Sequence, residues 1–143
     1  MNPKEELKHK WFASRPKTLA VDFDGTMVPW TGGQDLTEIP EPYPGVRESL
    51  NNLRKAGWRI IIHSCRGAFG TLAKETMMDW MKKYKISYHD IWEGHGKPMA
   101  DVYLDDSGLR FNGAWGPELV EAIQEFKPWW FDAFFSDSSS SPS

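Results

Sequence analysis

Short apolar runs alternate with amphipathic stretches along this chain, and each run leads into polar residues. Thr18-Leu19-Ala20-Val21 precedes Asp22 and Asp24, Ile60-Ile61-Ile62 precedes His63 and Ser64, and Val102-Tyr103-Leu104 precedes Asp105 and Asp106. Runs this short, apolar and partly β-branched read as buried strands of a parallel sheet. The spacing predicts strands over about 17–23, 58–63, 86–92 and 102–104. Between them, residues 45–56 carry Val46, Leu50 and Leu53 on a helical stripe that stops at Gly57. Residues 71–84 read as a helix with Leu72, Met77, Trp80 and Met81 on its inner face. Pro117 opens a last helix over 117–126, with Leu119, Val120, Ile123 and Phe126 as its stripe. The alternation argues for an α/β fold, a doubly wound parallel sheet with helices on both faces.

At 143 residues the chain suits one domain, placed at 1–135, followed by a Ser-rich tail over 136–143 expected to be disordered. A formal net charge of −3 gives no general attraction to duplex nucleic acid or to anionic membrane. The single cysteine, Cys65, cannot form an intramolecular disulfide, which suits a reducing cytoplasm. The first ten residues lack the apolar core of a signal peptide, and no apolar run is long enough to span a bilayer.

The polar strand ends carry the chemistry. In an open α/β sheet, ligands gather at the carboxyl ends of the strands, so residues distant in sequence can share one crevice there. Asp22-Phe23-Asp24-Gly25-Thr26 places two carboxylates two residues apart, with Gly25 free to turn sharply and to leave room for a ligand. Anions that close together call for a cation, although Asp and Gly are also common turn residues. A carboxylate nucleophile, a hydroxyl and an ammonium for phosphoryl oxygens, and oxygen ligands for Mg²⁺ are what phosphoryl transfer requires. Asp22, Asp24, Ser64, Lys97, Asp105 and Asp106 are the candidates. Asp106 could support a metal or cap the following turn. Arg66 could bind substrate phosphate or pair with an acid. Cys65 reads as a small apolar filler rather than a nucleophile. His63, His89 and His95 lack the spacing of a zinc site.

On these residues the chain resembles the haloacid dehalogenase superfamily of phosphohydrolases, over roughly residues 17–126. Asp22-Phe23-Asp24-Gly25-Thr26 is similar to the family's first motif, Ser64 to its second, Lys97 to its third and Asp105-Asp106 to its fourth. The resemblance implies a Rossmann-like core and a Mg²⁺-dependent phosphatase acting through an aspartyl-phosphate. Asp22 would be the nucleophile and Asp24 the general acid and base. By that resemblance Ser64 and Lys97 would hold phosphate, and Asp22, Asp24 (through its backbone carbonyl) and Asp105 would serve the metal; Arg66 joins the phosphate candidates and Asp106 the metal candidates from the residues alone.

Residues 27–44 are too few for an independent cap domain, and one helix and one strand use up the stretch from Ser64 to Lys97. The family resemblance then implies a capless or minimally capped enzyme, open to a phosphorylated small molecule or macromolecular phosphate end. A nucleotide or polynucleotide-end phosphatase is the alternative within that class. The aromatic segment of Phe126, Trp129, Trp130, Phe131, Phe134 and Phe135 is expected to cover the core. It could also serve as an oligomer or partner patch, or join Trp30 in a partial lid. A catalytically idle fold that holds a partner through those aromatics is the reading from another class.

Overall fold

A computed structural model describes residues 1–31, 37–94 and 96–139 of the chain. Strands β1 (Thr18–Val21), β2 (Arg59–Ile62), β3 (Asp90–Ile91) and β4 (Val102–Leu104) form one sheet in the order β3-β2-β1-β4. Every neighbouring pair is parallel. Helices α1 (Pro3–Ser14), α2 (Val46–Lys55), α3 (Thr71–Lys83), α4 (Pro117–Glu125) and α5 (Phe131–Ser139) accompany it, with a short 3-10 helix at Cys65–Phe69. The molecule is therefore α/β, and its sheet fits a Rossmann-like core.

Because side chains alternate across a strand, register decides which residues share a face. Leu19 pairs with Ile60 and Val21 with Ile62, and these four belong to one buried cluster. Leu50 of α2 and Met77, Trp80 and Met81 of α3 complete that cluster with Phe23, Met27 and Val28. Phe23 and Trp80 meet edge to face, ring centroids 5.0 Å apart.

The chain steps from β1 to β2 to β3 in one direction, then returns past β1 to β4. Strand order thus reverses between β1 and β4. Such a switch point opens a crevice at the carboxyl ends of the strands.

Several expectations are corrected. β4 spans the residues expected, while the first three strands are shorter than expected, β3 most of all, since its pairing with β2 spans only Ile61–Asp90 and Ile62–Ile91. Leu72 is exposed, and Ala73 takes the inner position on α3. The one-residue difference is a rotation of about 100° around the helix. Helix α4 forms as expected, but it buries no residue, and Val120 and Ile123 are more than half exposed. A stripe identifies the face a helix could bury without supplying a surface to bury it against. Helix α1 had no apolar periodicity to announce it. Its start is set by Asn2, whose side chain accepts the Glu5 N–H at 2.9 Å, with Pro3 in the first turn. Helix α5 runs as far as Ser139. Residues 32–36 of the first loop, His95, and 140–143 lie outside the described residues. Among the described residues no helix is long and apolar enough to cross a membrane.

Candidate active site

The N–H of Asp22 donates to the carbonyl of Leu104 at 2.9 Å, carrying the β1–β4 pairing one step past the strands. That single bond sets Asp22 beside Asp105 and Asp106. Carboxylate oxygens of the three residues lie within 4.8 Å of one another, a group able to hold a metal ion. Immediately beyond, the Phe23 carbonyl accepts from the N–H groups of Thr26, Met27 and Val28, and Gly25 N–H donates to Val28 O at 2.8 Å. This tight turn holds Gly25 at φ +80°. A β-carbon there would run into the Asp106 carboxylate and stand 2.8 Å from the indole nitrogen of Trp130. Gly25 is thus required both for the turn and for the close approach of β4's loop.

Asp22 registers the crowding of these carboxylates. Its carboxyl is pushed up from 3.8 to about 8, first by burial, then by a hydrogen bond with Asp106 and by the nearby charges of Asp105 and Asp106. Crowded carboxylates of this kind are relieved by a cation, and an all-oxygen set suits a hard one such as Mg²⁺. The residues present therefore fit a metal ion.

The remaining candidates divide. Asp24 lines the same cavity as Asp22, and its carboxylate is gripped by Arg66, Nε to Oδ2 and one terminal nitrogen to Oδ1, each at 2.8 Å. The Arg66 side chain is 2% exposed and that of Asp24 11%. Of the two readings of Arg66, the structure displays the acid pair. Ser64 is buried against the same cavity, where its hydroxyl accepts the Arg66 N–H at 3.1 Å and caps the 3-10 helix. For the loop after β4, Asp105 makes the turn by accepting the Ser107 N–H at 2.7 Å. Asp106 instead accepts the Trp130 indole N–H at 2.7 Å. Lys97, expected to hold phosphate, is exposed, and its ammonium lies 4.0 Å from the Tyr103 ring centroid. Cys65 is exposed at the cavity wall and is no apolar filler.

The cavity, about 820 Å³, includes residues that sequence reasoning missed: Trp92, Glu93 and Ser107. Trp30 and Trp130 also line it, stacked with centroids 5.2 Å apart. Trp129 donates its indole N–H to Gly25 O at 2.8 Å. The aromatic segment expected over the core therefore closes on the site instead.

No family model matches the chain, and no curated protein matches it. Among solved structures, a conserved protein from Bacteroides thetaiotaomicron is 28% identical, with 89% of this chain and 100% of that one covered and a TM-score of 0.51. A Vibrio cholerae protein is 25% identical over 76% of this chain and 97% of its own, with a TM-score of 0.44. A chain of a Pnkp1/Rnl/Hen1 complex is 19% identical over 81% of this chain and 36% of its own, with a TM-score of 0.45.

Proposed function

We propose that this protein is a Mg²⁺-dependent phosphatase of the haloacid dehalogenase type, hydrolysing a phosphate monoester through an aspartyl-phosphate on Asp22. The observation that carries the reading is the convergence of Asp22, Asp105 and Asp106 within 4.8 Å, on the cavity that Asp24 and Ser64 also line.

In this reading the Asp22 carboxylate attacks phosphorus and is later freed by water. Asp24 protonates the leaving oxygen and then takes a proton from the attacking water. Arg66 is a positioning residue: its two parallel hydrogen bonds fix the plane of the Asp24 carboxylate. Ser64 offers a hydroxyl to the non-bridging oxygens, and Lys97 would join it by leaving the Tyr103 ring. Asp22, Asp105, Asp106 and the Asp24 carbonyl would hold Mg²⁺, which when bound neutralises carboxylate and phosphate charge. The idle binding fold is less well supported, because the indole N–H groups of Trp129 and Trp130 are engaged within the molecule.

The test is phosphate release from a panel of phosphorylated compounds, with Mg²⁺ and with EDTA, by wild type and Asp22→Asn. Release should require the metal and fall at least about a thousandfold in the variant, since the nucleophile is lost. Turnover that survives in Asp22→Asn would refute the covalent mechanism.

A further inference from the structure

The cavity wall has an unusual division of chemistry. Asp22, Asp24, Glu93, Asp105 and Asp106 contribute five carboxylates to it, and neither Lys nor Arg lines it among the described residues. Two cations beside it are committed to those acids, Arg66 to Asp24 at 2.8 Å and Lys74 to Glu93 at 2.9 Å, which leaves Lys97 as the cation that the proposed chemistry already assigns to the reacting phosphate. A metal at the Asp triad can offset one phosphate. Each further phosphate would enter a field of like charge.

The rest of the wall is aromatic. Trp30, Trp92 and Trp130 line the cavity beside the acids. Trp130 has given its N–H to Asp106, and Trp92 has given its own to Gly96 O at 2.9 Å. Trp92 is also seated tightly: a β-carbon on Gly94 would stand 2.6 Å from its ring, and one on Gly67 would stand 2.7 Å from its carbonyl oxygen. With the polar handles of Trp92 and Trp130 used, these two indoles present carbon surface held in place, and Trp30 stacks on Trp130. Such surfaces bind planar rings by stacking, and rigid ones lose little freedom in doing so. The volume, about 820 Å³, accommodates a ring joined to one phosphate.

We infer that the substrate is a small phosphate monoester bearing an aromatic ring system, such as a nucleoside monophosphate or an aryl phosphate. Trp30, Trp92 and Trp130 form the wall that recognises the ring. Sugar phosphates and oligonucleotide ends are poor substrates by the same logic, the first lacking a ring to stack and the second carrying extra phosphates. This inference rests on the phosphatase reading for its chemistry, but the aromatic wall can be tested without turnover.

Turnover is measured in Mg²⁺ with adenosine 5′-monophosphate, 4-nitrophenyl phosphate, ribose 5-phosphate and a 5′-phosphorylated hexanucleotide. The two ring-bearing monophosphates should exceed ribose 5-phosphate and the hexanucleotide in kcat/KM by about tenfold or more, the scale of one ring stacked on an aromatic side chain. Trp30→Ala should raise KM for adenosine monophosphate by a similar factor and by more than it raises that for ribose 5-phosphate, and Trp30→Phe should restore most of the difference. Ribose 5-phosphate or the hexanucleotide turned over as well as the nucleotide would overturn the inference while the phosphatase reading stood. Calorimetric binding to Asp22→Asn separates the two ideas. If nothing is hydrolysed, tighter binding of adenosine monophosphate than of ribose 5-phosphate upholds the aromatic wall alone, and equal binding overturns it too.

Discussion

β2 and β4 flank the same strand, pair with it in the same direction and carry similar apolar residues, yet they live in different environments. Along one register row, Ile62 is 0% exposed, Val21 1% and Leu104 50%. The difference is what lies above them. Helices α2 and α3 cover the β1–β2–β3 side, while α4 buries nothing and an apolar cavity of about 560 Å³ opens between Leu104, Leu50 and Trp129. The sheet therefore has a firm half and a lightly covered half, and the candidate site straddles their seam. Specific polar ties hold the second half. Asp101 accepts from Thr18 N–H at 2.8 Å and from both terminal nitrogens of Arg15, joining the start of β4 to that of β1. At the other end, the Asp22–Leu104 bond does the same, and the Trp130–Asp106 bond ties the loop after β4 to the aromatic segment.

The largest effect is expected within the firm half. Arg66→Ala strands the Asp24 carboxylate, 11% exposed, without its charge partner and should cost about 3–5 kcal/mol in urea unfolding. Adding Asp24→Asn should recover much of that loss. A cost near zero would mean that water already compensates Asp24.

The register row itself supplies the next test. Ile62→Ala should cost about 3 kcal/mol, because it empties a fully enclosed site. Leu104→Ala, two strands along, should cost less than about 1 kcal/mol. Equal losses would show that something covers β4 in solution and would end the comparison.

The smallest effect concerns the seam. Folding raises the Asp22 carboxyl from 3.8 to about 8, so the folded state prefers its protonated form. The metal-free protein keeps that contribution fully below about pH 4 and loses it as pH climbs through 8. Its Tm should fall by a few degrees across that window, and Mg²⁺ should restore it increasingly as pH rises. A flat pH profile without metal would place Asp22 in a wetter, less crowded setting than the geometry implies.

Local signals made much of this legible. Three strand ends with their carboxylates and hydroxyl could be placed because β-branched runs, Gly turns and 3.6-residue stripes act over a few residues. Four strands in parallel then bring Asp22, Ser64, Asp105 and Asp106 to one edge. The start of α1 was also readable, in Asn2 and Pro3, to a reader attending to caps rather than periodicity.

The amino-acid sequence alone determined the alternation of elements, the order of the polar strand ends and the need for Gly25. These depend on backbone preference and on neighbours close along the chain. Only the tertiary structure decided that the acid Arg66 pairs with is Asp24, and that Lys97 lies on Tyr103. It alone sent Trp129 and Trp130 to Gly25 and Asp106, more than 20 residues away at the nearest, and left α4 and β4 uncovered. Those outcomes turn on which surfaces meet, and an apolar or charged side chain states what it would favour without naming the partner it finds.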